Sequence, residues 1–111
     1  MLVREEKALK EFQRQLLEKF NGEVLLIELF GSKVRDDDRV DSDIDTIVVT
    51  KTKDYEFAKE ICGVALDISL EYDVDISPKI YSRKEFSELK KKDRSFIRNV
   101  MREGVILWQM S

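Results

Sequence analysis

The chain's aspartates are its chemically suggestive residues. Asp43 and Asp45 stand two apart at the head of the run DIDTIVVT. In an extended strand, residues i and i+2 share a face, so both carboxylates project into one small volume while Ile44 points the other way. Like charges held that close raise each other's pKa and cost stability unless a cation lies between them. A divalent ion resolves the conflict, and Mg²⁺ prefers a few carboxylate oxygens supplemented by water and substrate phosphate. A lone Asp-x-Asp more often opens a strand in solvent. Here Ile47-Val48-Val49 follows, which marks a core strand and weakens that bland reading.

A second pair, Asp73 and Asp75, lies in the stretch DVDISPKIY, where either residue could complete an anionic cluster. A third carboxylate on a neighbouring strand would serve as a further metal ligand and as acceptor of an attacking hydroxyl's proton, as in two-metal phosphoryl transfer. Asp75, deeper in the expected strand, is preferred; Asp73 has equal standing as a solvated strand-entry residue. Gly31-Ser32 ends the apolar run EVLLIELF. Glycine there lets a phosphate approach the main chain, and Ser32 offers a hydroxyl and an amide at a helix start. Lys33 and Arg35 follow closely enough to reach a triphosphate, although solvated loop cations explain them equally well. Asp36-Asp37-Asp38 lacks the spacing of a calcium loop and reads as a solvated turn.

These residues need elements to hold them. Leu9, Phe12, Leu16 and Phe20 follow helical spacing over Val3 to Phe20, closed by Asn21-Gly22. Glu23 to Phe30 has the length and continuity of a buried strand. Asp43 to Thr50 alternates as a second strand, reached through a loop or short helix. Asp54 caps a helix to about Leu70, with Phe57, Ile61, Ala65 and Ile68 on one side. Asp73 to Tyr81 is a third strand, which Pro78 places at an edge or bends. Ser82 and Glu85 form a capping box for a short helix to roughly Lys91. Lys90-Lys91-Lys92 then complements that helix's dipole. Phe96, Ile97, Val100 and Met101 define a last helix ending near Gly104, and VILW forms a terminal strand.

Composition narrows the function classes. At 111 residues the chain holds a single domain, 1–111, with one core. A net charge of -3 lacks the positive field of a free-standing nucleic-acid binder and weighs against direct nucleic-acid binding. The absence of histidine removes imidazole acid-base chemistry and the usual zinc ligand sets, so a metal would be held by oxygen. Cys62 sits among Ile61, Val64, Ala65 and Leu66 and reads as a buried thiol in a reducing compartment. No stretch approaches the roughly 20 apolar residues of a membrane span, and a soluble, cytoplasmic protein is expected.

Gly31-Ser32, ten intervening residues and Asp43-Ile44-Asp45, within LFGSKVRDDDRVDSDIDTIVV, resemble the DNA polymerase β-type nucleotidyltransferase superfamily. The similarity is greatest to its minimal members, the MNT proteins, and extends through ISPKIYSRKEF and FIRNVMREGVILW. The chain departs from many relatives at Asp36, where they carry Gly, and at Val40, where they carry Pro. The resemblance implies an α+β fold, a mixed β-sheet flanked by helices, with ATP or another nucleoside triphosphate as donor and two Mg²⁺ ions. It assigns Gly31 and Ser32 to the triphosphate, Asp43 and Asp45 to metal, and Asp75 to the third carboxylate. It also implies a HEPN-type helical partner that accepts AMP as a neutralised toxin, and it is compatible with a homodimer. The competing expectation is a non-enzymatic subunit of the same fold that neutralises a partner by occlusion. A solvated third carboxylate would favour it. An aminoglycoside-modifying or RNA-tailing enzyme would need an acceptor domain beyond this core.

Overall fold

Apolar residues at helical spacing bury Ala8, Leu9, Phe12 and Leu16 on one stripe of α1 (Val3–Lys19), and Gly22, at φ +83°, turns the chain into β1 (Val24–Phe30). In this computed structural model residues 1–35, 42–52, 54–92 and 94–111 are described, Arg35 and Arg94 by backbone alone. A single helical turn, α2 (Ser32–Arg35), follows β1, and β2 (Ile44–Thr50) begins one residue after Asp43. The run Asp36-Asp37-Asp38 and Val40 lie outside the described residues. Asp54 caps α3 (Tyr55–Tyr72), its carboxylate accepting from the Phe57 amide at 2.7 Å. After β3 (Ile76–Ser82), the Ser82 and Glu85 side chains each accept the other's backbone N–H at the start of α4 (Arg83–Lys92). Helix α5 (Arg94–Glu103) and β4 (Val105–Gln109) complete the α+β fold.

The sheet is mixed, in the order β3-β2-β1-β4. β1 pairs antiparallel with β2 and β4, and β2 pairs parallel with β3 through the α3 crossover. Alternation sorts β2 between two cores. Ile44 and Val48 join Ile27, Leu29 and Ile76 beneath α1 and α3, where Phe12, Leu16, Ile61 and Ile68 fill the interior. Ile47 and Val49 face the other way, under Phe86 of α4 and Ile97 and Val100 of α5. Pro78 lies on β3, an edge strand as its missing N–H demands. Opposite it in register, the buried Thr46 hydroxyl has no hydrogen-bond partner.

The structure corrects the sequence expectation at several places, and Asp43 and Asp75 stand just before β2 and β3, respectively, rather than within them. Asp73 is not in a strand: it caps the C-terminus of α3 in the left-handed region (φ 55°, ψ 53°), a conformation the short polar Asp tolerates better than most residues. Cys62 is exposed rather than buried. Its sequence neighbours Ile61, Val64 and Ala65 are buried, but adjacency in sequence is not adjacency on a helix, and Cys62 lies on the side of the exposed Leu66. Among the described residues no helix is long and apolar enough to cross a membrane.

Candidate active site

The parallel β2–β3 register sets Ile44 beside Ile76 and Asp45 beside Ser77, which puts Asp43 and Asp75 next to one another at the leading ends of the two strands. The Ile44 amide donates to the Asp75 carbonyl at 2.8 Å, locking that alignment. Across the other ladder Phe30 pairs with Asp45, so Gly31 leaves β1 directly over the Asp45 side chain. The contact is tight. A Cβ added at Gly31 would lie 2.5 Å from Asp45 Oδ2, and the residue's φ of +82° is one that side chains rarely adopt. Gly31 and Ser32 thus lead into α2 beside a carboxylate, and the first amides of a helix have no intrahelical partner.

The acidic side chains lie close enough to act on one another. Asp75 is raised above the ordinary carboxylate range, first by a hydrogen bond with the Asp43 carboxyl, then by loss of solvent, then by the negative charges of Asp43 and Asp45. Carboxylate oxygens held this close repel one another, and a cation between them would relieve that repulsion. Among the described residues no group of three or more acidic or cysteine side chains stands ready at metal-coordination spacing. The arrangement is a bonded Asp43–Asp75 pair with Asp45 acting through charge.

The expected residues divide into those that meet and those that do not. Asp43, Asp45, Asp75 and Gly31 come together, and Ser32 opens the adjoining turn. Asp73 does not join them: its backbone carbonyl accepts from Arg4 Nε at 3.0 Å, tying α1 to the end of α3. Lys33 departs from the expectation of a loop cation reaching a triphosphate. It is buried, and its Nζ lies 2.6 Å from Glu5 Oε2, while the other oxygen of Glu5 accepts from the Leu2 amide at 2.8 Å. That ion pair fastens the Gly-Ser turn to the start of α1. The Arg35 side chain lies outside what the structure describes.

Ser69 is a positioning residue that sequence reasoning missed. Its hydroxyl accepts from the Ile76 amide at 3.0 Å while its carbonyl accepts from the Val74 amide at 3.0 Å. Together they set the turn that carries Asp75 from α3 into β3. The only available sequence signal was a serine near the end of an apolar helix, which is common and unspecific.

The polymerase β nucleotidyltransferase family model matches residues 13–111. Over 106 residues, 96% of this chain and 100% of the relative, the chain is 39% identical to a Methanocaldococcus jannaschii protein to which protein adenylyltransferase activity is attributed. Its fold is similar to that of a chain in a toxin-antitoxin crystallised with AMP-PNP, at TM-score 0.63 and 21% identity over 99% of this chain and 76% of that one. A chain from the complex of tri-AMPylated Shewanella oneidensis HEPN toxin with MNT antitoxin superposes at TM-score 0.58 and 20% identity, covering 97% and 74%. With the Gly-Ser turn, the paired aspartates and the mixed sheet all inside the matched span, the chain belongs to the polymerase β-type nucleotidyltransferase family.

Proposed function

We propose that this chain transfers a nucleoside monophosphate, AMP in the first instance, from a nucleoside triphosphate to an acceptor hydroxyl on a helical HEPN-type partner. The observation that carries the proposal is the meeting of Asp43, Asp45 and Asp75 beside a glycine that has no room for a side chain. The attribution to the Methanocaldococcus relative supports a protein acceptor, and the AMPylated Shewanella complex supports its kind. The occlusion alternative expects a solvated third carboxylate; Asp75 is exposed, and its hydrogen bond to Asp43 is what ties it to the acidic pair.

Magnesium fits this donor set. Hard oxygen ligands are the ones Mg²⁺ takes, and the approach of Asp43, Asp45 and Asp75 gathers negative charge that a cation would relieve. Asp43 and Asp45 would hold it with Asp75 as the further ligand, and bound there it neutralises charge on the polyphosphate. The rest falls to the chain. Gly31 admits the polyphosphate close to the backbone, and the amides opening α2 donate to it. Asp75 takes the proton of the acceptor hydroxyl as its oxygen bonds to the α-phosphorus, and the bond to pyrophosphate breaks on the opposite side. Lys33 and Glu5 hold the turn in place.

Titration calorimetry with Mg-ATP on wild type and Asp43→Asn, followed by transfer of α-labelled ATP to the partner, tests the reading. Binding that Asp43→Asn abolishes, together with labelled partner, is expected. Absence of nucleotide binding, or binding indifferent to the substitution, contradicts it.

A further inference from the structure

We propose that the outer face of α3 is the surface on which this chain seats its acceptor protein, through a partner helix whose apolar seam is edged by lysine or arginine. The role given to the surface rests on the nucleotide-transfer reading above; the surface itself is read from α3 alone.

Helix α3 is apolar on two sides. Its inner side, with Ile61, Val64, Ala65 and Ile68, is buried in the core beneath it. On its outer side Tyr55, Lys59, Cys62, Leu66 and Leu70 succeed one another at intervals of three or four residues and form one stripe, about 22 Å long. Tyr55 is 78% exposed, Leu66 60% and Leu70 74%, and Cys62 is exposed with them. A helix covered on one side only carries polar residues on the other, so a continuous apolar stripe there marks a face that another molecule covers. Gly63, beside Leu66, adds a second observation. Glycine inside a helix is less stable than alanine, yet a Cβ at Gly63 would meet nothing within 4 Å and its φ is not positive. The fold has no use for the missing side chain, whereas a partner backbone crossing close to Leu66 does.

Charge chooses the occupant. Glu56, Glu60, Asp67 and Glu71 run along one edge of the stripe, all of them exposed, and Lys59 is the one cation in α3. A second copy would bring the same acids and a single lysine to that edge, while a basic-edged helix matches it. Position supplies the role. Helix α3 leads from the trailing end of β2 back to the leading end of β3, and Asp75 comes three residues after Tyr72, where the helix ends. A protein seated on Leu66 and Leu70 therefore stands at the strand ends that carry Asp43 and Asp75.

The test purifies the protein that wild type labels from α-labelled ATP and measures its KM in the transfer reaction. Wild type is compared with Leu66→Glu, Gly63→Ala, Glu60→Lys/Asp67→Lys and wild type alkylated at Cys62 with a bulky maleimide, each with Mg-ATP calorimetry and a melting curve. The acceptor KM should rise about tenfold or more in Leu66→Glu and in the alkylated protein. It should rise about threefold in the charge-reversed variant, and less as salt increases. Mg-ATP affinity should stay unmoved throughout. Gly63→Ala should raise the melting temperature by about 5 °C and still raise the acceptor KM. An unchanged KM in Leu66→Glu or in the alkylated protein overturns the proposal, as does a charge-reversed variant that takes the acceptor more tightly. A wild-type dimer in sedimentation that Leu66→Glu dissociates gives the stripe to a second copy and also overturns it. Labelling that still depends on Asp43 in those cases leaves the transfer reading standing without this surface. If wild type labels no protein, the protein acceptor and the role of α3 fall together.

Discussion

Replacing Gly31 with alanine separates the structural demand on this glycine from the functional one, because the fold supplies its own control. Gly31 and Gly22 have nearly the same backbone angle, φ +82° and +83°. A Cβ at Gly22 meets nothing within 4 Å, whereas one at Gly31 lies 2.5 Å from Asp45 Oδ2 and 3.3 Å from its Cγ. Left-handed backbone costs an alanine about 1–2 kcal/mol, so both variants should lose that much, or about 4–8 °C of melting temperature for a domain of this size. The Gly31 variant must also relieve a clash, since its Cβ is about 1 Å short of ordinary contact with the carboxylate. A carboxylate at the end of a short side chain can rotate away at little thermodynamic cost. Doing so displaces it from the neighbourhood of Asp43, and misplacement by about 1 Å costs about a hundredfold in rate. Melting curves and transfer of α-labelled nucleotide, run on Gly22→Ala and Gly31→Ala in parallel, should therefore give matched stabilities and an activity gap of about two orders of magnitude. Equal activities would refute the assignment of Gly31 to the site. A Gly31 variant much less stable than its control would show that the carboxylate cannot move, and that the contact serves the fold instead.

Lys33→Met strands Glu5 as a buried unpaired charge, and denaturant titration should show a loss of about 3–5 kcal/mol, largely restored in Lys33→Met/Glu5→Leu; a single variant as stable as wild type would contradict the pairing. Burial raises the pKa of Glu28 above 4.5, against a weaker opposing pull from Lys90. The folded protein then holds that proton more tightly than the unfolded chain, so stability is highest below 4.5 and declines as pH rises through the raised value. Glu28→Gln should thus be more stable than wild type near neutrality and converge with it in acid; a variant less stable at neutral pH would mean that the carboxylate has a compensating partner. Asp75 shifts in the same direction from 3.8, so the metal-free protein should lose stability as pH rises through its raised pKa. Asp75→Asn should remove that loss and raise the metal-free melting temperature while cutting transfer by about a hundredfold or more. Magnesium that stabilises the variant as much as wild type would deny Asp75 a place beside the ion.

What could be read in the sequence was what depends on near neighbours. The Asp54 cap, the reciprocal Ser82–Glu85 pair and the alternation of β2 each involve residues a few positions apart, and local chemistry dictates them. Asp43 and Asp45 were visible because aspartate at the head of an Ile-Val-Val strand breaks the local rule, and such breaks concentrate at functional sites. The Lys33–Glu5 pair was hidden, since one exposed-looking lysine and one acid in a charged helix have no mark of mutual burial in a chain that is 39% charged. The choice between Asp73 and Asp75 likewise turned on where α3 ends, and that is set by Arg4 and Ser69 from outside the motif.

The mixed character of the sheet is what assembles the site. In a parallel pair the leading ends of both strands lie together, so residues just before β2 and β3 meet once those strands pair, as Asp43 and Asp75 do. Had β3 run antiparallel to β2, its first residue would lie beside the far end of β2, about 20 Å away along seven residues. β1 is antiparallel, and therefore its trailing end, with Gly31, arrives at that same point. One parallel and one antiparallel neighbour are together what bring a glycine turn from one side of β2 and an acid from the other onto the paired aspartates. The repulsion gathered there sits at the rim of the sheet, while Ile44, Ile47, Val48 and Val49 just inside it are buried. The core can hold the carboxylates together without help from a cation, and so the fold should survive metal removal that silences the chemistry.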